Sequence, residues 1–352
     1  MKKLKFICFL FIIILFLCIQ YDNQWHYSGN LRIPISLDLK REEAIDEASF
    51  AADLQDHLLE SEERYRLLPD SLNGKIISTD LACHLYKPFA ALSNAKDRLK
   101  YFFSTRIPAS WFMNYVYYKK LVEIKDLKEQ EGQEKMNVVF LAGGDGSGKT
   151  SAVRYLGLPI IENADVIRDA TMSSSFEYHK KVIEKTLELG FEVTIIYVFR
   201  PIELALEANI SRAEEEGRIR PIGEIVDAHY RAQQNVVKLI EFFGDKIEFL
   251  VIDNRRSFQD IHVVDNPVEF LTSTEVYYMS REIVMNRALL TYAKQNKEEI
   301  SEPIIEVLEH KLNLSSTNIQ ANDLNQEGAH WFKHIRKLID TLAMKFKAKG
   351  HA

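Results

Sequence analysis

The sequence predicts an α/β fold, a parallel sheet joined by crossover helices and flanked by helical N- and C-terminal regions. Three observations predict it. Residues 136–255 alternate strand-like and helix-like segments. The strand candidates are 137–142, 164–168, 192–199 and 247–252, with helical stretches at 175–189, 201–216 and 223–243 between them. Such an order implies parallel strands, because a helix must return the chain across the sheet before the next strand begins. The second observation is the run Gly143-Gly144-Asp145-Gly146-Ser147-Gly148-Lys149-Thr150, which fits G-x-x-x-x-G-K-[ST]. The third is its setting. Val138-Val139-Phe140-Leu141 before it reads as a short buried strand, and Ser151-Ala152-Val153-Arg154-Tyr155 after it can begin a helix.

That run is the pattern of a phosphate-binding loop, so the predicted sheet is that of a P-loop NTPase. Glycine opens backbone angles closed to other residues, and successive N–H groups can turn inward on an anion. The helix that follows adds its positive N-terminal end. The ligand implied is ATP with Mg²⁺. Residues Gly143 to Thr150 and Ser151 are the expected nucleotide-binding set: Gly143, Gly144, Asp145, Gly146, Ser147, Gly148, Lys149, Thr150 and Ser151. Lys149 is expected on the β- and γ-phosphates and the Thr150 hydroxyl on Mg²⁺. No Asn-Lys-x-Asp guanine signature is present, so ATP is preferred over GTP.

The chain has 352 residues, 46% of them hydrophobic, enough for one or two domains with a sizeable core. A formal net charge of −6 argues against nucleic acid as partner. Of three cysteines, Cys8 and Cys18 lie in an apolar N-terminal run and Cys83 stands alone, so no disulfide or cysteine-based zinc site is expected. Lys2, Lys3 and Lys5 precede 14 unbroken apolar residues, Phe6 to Ile19, with no small-x-small cleavage site after them. Residues 1–21 are therefore expected to anchor the chain in a membrane, with a cleaved signal and a buried core helix as the other readings. The leading lysines predict a cytoplasmic N-terminus and a translocated body. ATP is a cytoplasmic resource, so the side of the membrane stays open.

A polar linker is expected over 22–40 and a helical region over 41–135, with Pro69, Pro88 and Pro108 between its segments. The aromatics Phe102, Phe103, Trp111, Phe112, Tyr115, Tyr117 and Tyr118 read as core, and Lys125 to Lys135 as a surface connection. The nucleotide domain is expected over 136–266 and a second helical region over 267–352, broken at Asn313 to Asn325. Trp331, Ile335, Leu338, Leu342 and Phe346 share one stripe of its last helix, which is basic elsewhere. These helical flanks are the candidate surface for a protein partner.

Phosphoryl transfer is mostly positioning and charge neutralisation, so cations and a carboxylate are needed beside the loop. Asp169 closes the apolar strand Val166-Ile167 and is a candidate base or Mg²⁺ ligand. Asp165 is a second candidate base, Asp253 a candidate for orienting the nucleotide, and His229 reads as a helix-surface or core histidine. Arg212 and Arg218 lie six apart in a Glu-rich helix ending at Gly217; a solvated face paired with Glu214, Glu215 and Glu216 is their other reading.

Several phrases together resemble the zeta-toxin-type kinases. They are the loop, Asn163-Ala164-Asp165-Val166-Ile167-Arg168, Tyr197-Val198-Phe199-Arg200-Pro201, Ser211-Arg212 through Gly217-Arg218, and Asp253-Asn254. The resemblance covers roughly residues 136–256. The Arg106-Ile107-Pro108-Ala109-Ser110 segment also resembles the stretch that precedes this domain in bacterial proteins. The resemblance implies phosphoryl transfer from ATP to a sugar hydroxyl, as in members that act on UDP-N-acetylglucosamine. It makes Arg212 and Arg218 the lid arginines, and Asp165 the base. Asp169-Ala170-Thr171 looks like the family's acid-Gly-Thr substrate segment, which the family separates from the base by several helices and a strand. Here the two acids are four residues apart, so the acceptor is an unidentified small molecule. The alternative is a nucleotide-dependent switch protein that binds ATP and transfers little or nothing.

Overall fold

Runs of apolar and β-branched residues suit extended chain buried on both faces, and the sheet forms on them. The computed structural model describes residues 31–310, apart from 37, 38, 134, 257–259, 274, 279 and 296–298. Its strands are β1 (Ile76–Ser78), β2 (Asn137–Ala142), β3 (Val166–Asp169), β4 (Glu192–Phe199), β5 (Glu248–Asp253) and β6 (His262–Val263). They lie in the order β1-β3-β2-β4-β5-β6, parallel throughout except for the antiparallel pair β5–β6. The fold is thus α/β with a mostly parallel sheet. β2 and β4 fall on the residues read from the sequence, and β3 and β5 start one or two residues later. Helices Phe176–Glu188, Ile202–Glu216 and Ile222–Phe243 make the crossovers, close to their expected limits.

The sheet begins inside the region read as helical. β1 pairs in parallel with β3, placing Ser78 opposite Asp169. Three residues are too few for a two-residue period to stand out in a sequence. Tyr65 fixes the strand from outside. Its buried hydroxyl donates to the Ile76 carbonyl at 2.8 Å and accepts from the Ser78 N–H at 2.9 Å.

Pro108 does not separate two segments; it lies inside one helix, Phe102–Glu131. An interior proline removes the N–H that would bond four residues back and costs about 3 kcal/mol. Burial of Ala109, Phe112, Met113, Tyr117 and Leu121 along the same helix offsets that cost. The helix also continues through most of the charged stretch expected as a surface connection. Of the seven aromatics read as core, Phe102, Phe112 and Tyr117 are buried and the rest half-buried.

One face of the sheet packs Val139, Leu141, Ile167, Ile196, Val198 and Ile252 against Ala152 and Val153 of helix Lys149–Leu156. The other face meets helix Phe102–Glu131, where the Tyr117 and Phe140 rings lie 6.0 Å apart. Between residues 267 and 310 the described chain forms helices Pro267–Thr272, Arg281–Lys294 and Glu302–Glu309. Helix Arg281–Lys294 is held on the crossovers by ion pairs Arg287–Glu203 and Arg281–Asp227, both at 2.5 Å. The expected anchor (1–21), most of the linker and the stripe on the last helix lie outside the described residues. Among the described residues, no helix is long and apolar enough to cross a membrane.

Candidate functional site at the carboxyl edge of the sheet

The parallel register brings the carboxyl ends of β1, β2 and β3 level, with Ser78 and Leu141 both opposite Asp169. Beyond them, Ala142 lies opposite Tyr197 and Phe199 opposite Asp253. The glycine loop leaves from this edge, the usual ligand edge of an open α/β sheet. Its backbone requires glycine. Gly143, Gly146 and Gly148 have φ of 138°, 74° and 80°. Close packing adds a second requirement. A Cβ at Gly144 would lie 2.3 Å from the His229 ring, and one at Gly146 would lie 2.3 Å from the Ala205 carbonyl oxygen.

Three side chains from other elements, and the loop's own lysine, hold the loop by its carbonyls. Asn254 Nδ2 donates to Ser147 O at 2.8 Å, Arg200 Nη1 to Gly146 O at 3.3 Å and Lys149 Nζ to Gly143 O at 3.1 Å. His229 Nε2 lies 2.7 Å from Asp145 O, and a carbonyl only accepts, so Nε2 carries the proton. Burial holds the His229 ring down at about 4, with Lys149 and Arg200 adding to it, although its bond to Asp145 O pulls the other way. His229 is therefore a buried neutral brace. Because the carbonyls are engaged by these groups, the loop is held in shape by the rest of the fold. Buried Ser147 Oγ has no partner. Thr150 and Ser151 are exposed at the start of the helix, and Lys149 is half-buried.

Around the loop stand acids and cations from five segments. Asp169, at the end of β3, accepts a long bond from Ser78 Oγ (3.4 Å), while its buried Oδ1 has no partner. Burial pushes its carboxyl up, Lys149 opposes that, and Asp80 adds to it. Asp145 is likewise pushed up by burial, against Arg106 and Lys149. Its Oδ2 lies 2.9 Å from Arg220 Nε. Asp80 behaves oppositely. Burial disfavours its charge, but Arg218, Arg106, Arg212 and Lys149 outweigh that and hold its carboxyl below the ordinary range. Arg218 Nη1 is 2.9 Å from Asp80, and its Nε donates to Glu216 at 3.0 Å. Arg212 lies 3.7 Å from Glu216 one turn on. Both arginines therefore pair with glutamate and also act on the acids at the loop.

Asp165 is not brought to the site. It precedes β3 at the amino edge, where it accepts from Asn137 N at 2.7 Å and lies 2.8 Å from Lys128 Nζ. Four residues at about 3.3 Å put it roughly 13 Å from Asp169 along the strand. It pins the start of β2 to the start of β3 and touches nothing at the loop. Asp253 pairs with Arg255 at 2.8 Å, and its neighbour Asn254 is the residue that reaches the loop.

Sequence reasoning missed Asp80 and gave Arg106 no role in the site. Both come from the N-terminal region, Asp80 two residues after β1 and Arg106 from the long helix. β1 itself is the signal that would have found Asp80, since whatever follows a strand next to β3 arrives beside Asp169. No family model matches the chain, and no curated protein is similar enough to count as a relative.

Proposed function

We propose that this chain is an ATP-dependent phosphotransferase of P-loop, zeta-toxin-like type, moving the γ-phosphate of ATP to a hydroxyl of a small molecule. The observation that carries the reading is the glycine loop at the carboxyl edge of the sheet, with Lys149 folded onto it, Asp169 closing the neighbouring strand and the Arg218–Asp80 pair following β1. The residues fit a polyphosphate. Ser147 Oγ is a buried hydroxyl without a partner that can donate to a phosphate oxygen, and unpartnered Asp169 Oδ1 suits the acceptor hydroxyl.

In this reading Lys149 binds the β- and γ-phosphates. Arg218, Arg212 and Arg106 balance the charge that develops on the transferring group. Asp169, pushed up by its burial, accepts the proton of the acceptor hydroxyl as that oxygen bonds phosphorus and ADP leaves. Mg²⁺, when bound, would spread the charge of the β- and γ-phosphates; Thr150 is the residue that would hold it, with Asp169 as the other candidate ligand if it is not the base.

The test is transfer of labelled γ-phosphate from ATP-Mg²⁺ into a metabolite extract, beside Lys149→Ala. A labelled small molecule seen only with the parent chain is the expected result. Lys149-dependent ATP binding without any transfer would favour the switch reading instead. Equal ATP binding by parent and Lys149→Ala would end both.

A further inference from the structure

Arg212 and Arg218 are cations that the proposed chemistry uses, and their own contacts do not fix where they stand. Arg212 lies 3.7 Å from Glu216 of its own helix, too far for a hydrogen bond, and its buried Nε has no hydrogen-bond partner. Arg218 follows the same helix directly after its Gly217 cap, where φ is 69°. The placement of both arginines therefore rests on helix Ile202–Glu216. That helix also touches the glycine loop. A Cβ at Gly146 would lie 2.4 Å from Asn209 Nδ2, and Asn209 is itself held by the Ala205 carbonyl at 2.9 Å.

Apolar packing keeps the helix on the core through Ile202, Ala205, Leu206, Ile210 and Ala213. Such packing is non-directional, so polar contacts must set how far the helix slides and how it tilts. At both ends they come from the C-terminal region. Just before the first turn, Tyr278 Oη donates to Arg200 O at 3.2 Å. In that turn Glu203 accepts both arms of Arg287, Nε to Oε1 at 2.5 Å and Nη2 to Oε2 at 2.9 Å. Near the other end, Glu214 Oε1 accepts from the Ser301 N–H at 2.7 Å, at the entrance to helix Glu302–Glu309. Glu203 and Glu214 are about 16 Å apart along the axis, a long base for holding an orientation.

We propose that Arg287, through Glu203, and Ser301, through Glu214, position the arginine helix beside the loop, which makes the C-terminal helices part of the phosphate-transfer apparatus. The geometry of this clamp stands by itself, and its catalytic meaning rests on the phosphotransferase reading. Charge that develops in a transition state is stabilised by cations already in place, so a helix free to shift would lose rate before it lost nucleotide.

Hydrogen exchange and labelled γ-phosphate transfer into the metabolite extract, both with the full chain, test the clamp. Arg287→Met with Glu214→Ala is expected to speed exchange over residues 202–218 about tenfold and to leave β2 (137–142) unchanged. Tm should stay within about 3 °C of the parent, because the apolar face remains packed. The transfer rate at saturating ATP should fall about tenfold, with the half-saturating ATP concentration within about twofold of the parent. Glu203→Gln should match Arg287→Met alone, and the two together should add nothing, since each removes the same contact. Unchanged exchange over 202–218 overturns the clamp. Faster exchange there with the transfer rate kept overturns its part in the chemistry. Faster exchange confined to 202–218, in a chain whose parent transfers no phosphate, leaves the clamp standing and removes only its assignment to catalysis.

Discussion

Asp165 and Asp169 are the same residue type, four positions apart around one strand, and they live at opposite edges of the sheet. Asp165, at the amino edge, has its oxygens engaged by the Lys128 ammonium and the Asn137 N–H. Asp169, at the carboxyl edge, has one weak bond and one buried oxygen with no partner. The first carboxylate is satisfied by the fold; the second is left wanting by it. A parallel sheet builds this asymmetry, since its strand ends are joined to helices on both edges but only the carboxyl edge gathers the loops that receive ligands.

Exchanging each acid for its amide breaks or sharpens the contrast, and the effect on chemistry is the largest expected here. Asp169→Asn should lower phosphate transfer by about 10²–10⁴-fold, the range for loss of a positioned base. Its stability should hold or rise, because burial already disfavours that charge. Asp165→Asn should leave transfer within about twofold and cost roughly 1–3 kcal/mol in denaturant unfolding, from loss of a charge-assisted pair. Activity lost in Asp165→Asn and kept in Asp169→Asn would reverse the assignment of the edges.

Asp80 sharpens the comparison from the carboxyl side. It sits 2.9 Å from Arg218, and under the proposed function it positions that arginine. Asp80→Asn is expected to lower kcat about tenfold with little change in KM for ATP, less than loss of a whole transition-state donor because Glu216 still holds Arg218. An equal fall in ATP affinity and in Tm, with kcat kept, would make Asp80 a structural acid like Asp165.

The loop was legible because its requirement is local. Glycines at fixed spacing, a lysine and an apolar strand lie within a short window, and each glycine proves to be needed by φ or by packing. The strand–helix alternation was legible for the same reason. Asp80 and Arg106 were not, because strand pairing across the sheet brings them in, and a three-residue β1 leaves no pattern to read. Asp165 misled through the reverse fault. Its phrase placed an acid near the right strand, but the strand begins after it, so the acid belongs to the wrong edge. His229 was read as either a helix-surface or a core histidine, and neither its burial nor its bond to the loop could be told from the sequence.

That histidine supplies the smallest and most separable effect, on stability alone. In the native chain burial holds His229 at about 4, against about 6.5 in the unfolded chain. The native state therefore favours the neutral ring, and the unfolded state takes up the proton first as pH falls. The stability tied to this group is complete above about pH 6.5 and is lost as pH drops toward 4. At about pH 5 the loss is on the order of 2 kcal/mol. His179, held at about 3 by burial and by Arg168, adds a loss of the same sign. Asp169 and Asp145 act the other way, since carboxyls pushed up are relieved by acid, so the total curve mixes both. His229→Gln isolates the brace, because its amide can donate to Asp145 O without titrating. Unfolding of parent and variant, compared between pH 7.5 and 5, should converge as pH falls, by about 2 kcal/mol. Parallel curves would mean that His229 titrates alike in both states and does not brace the loop as a buried neutral ring.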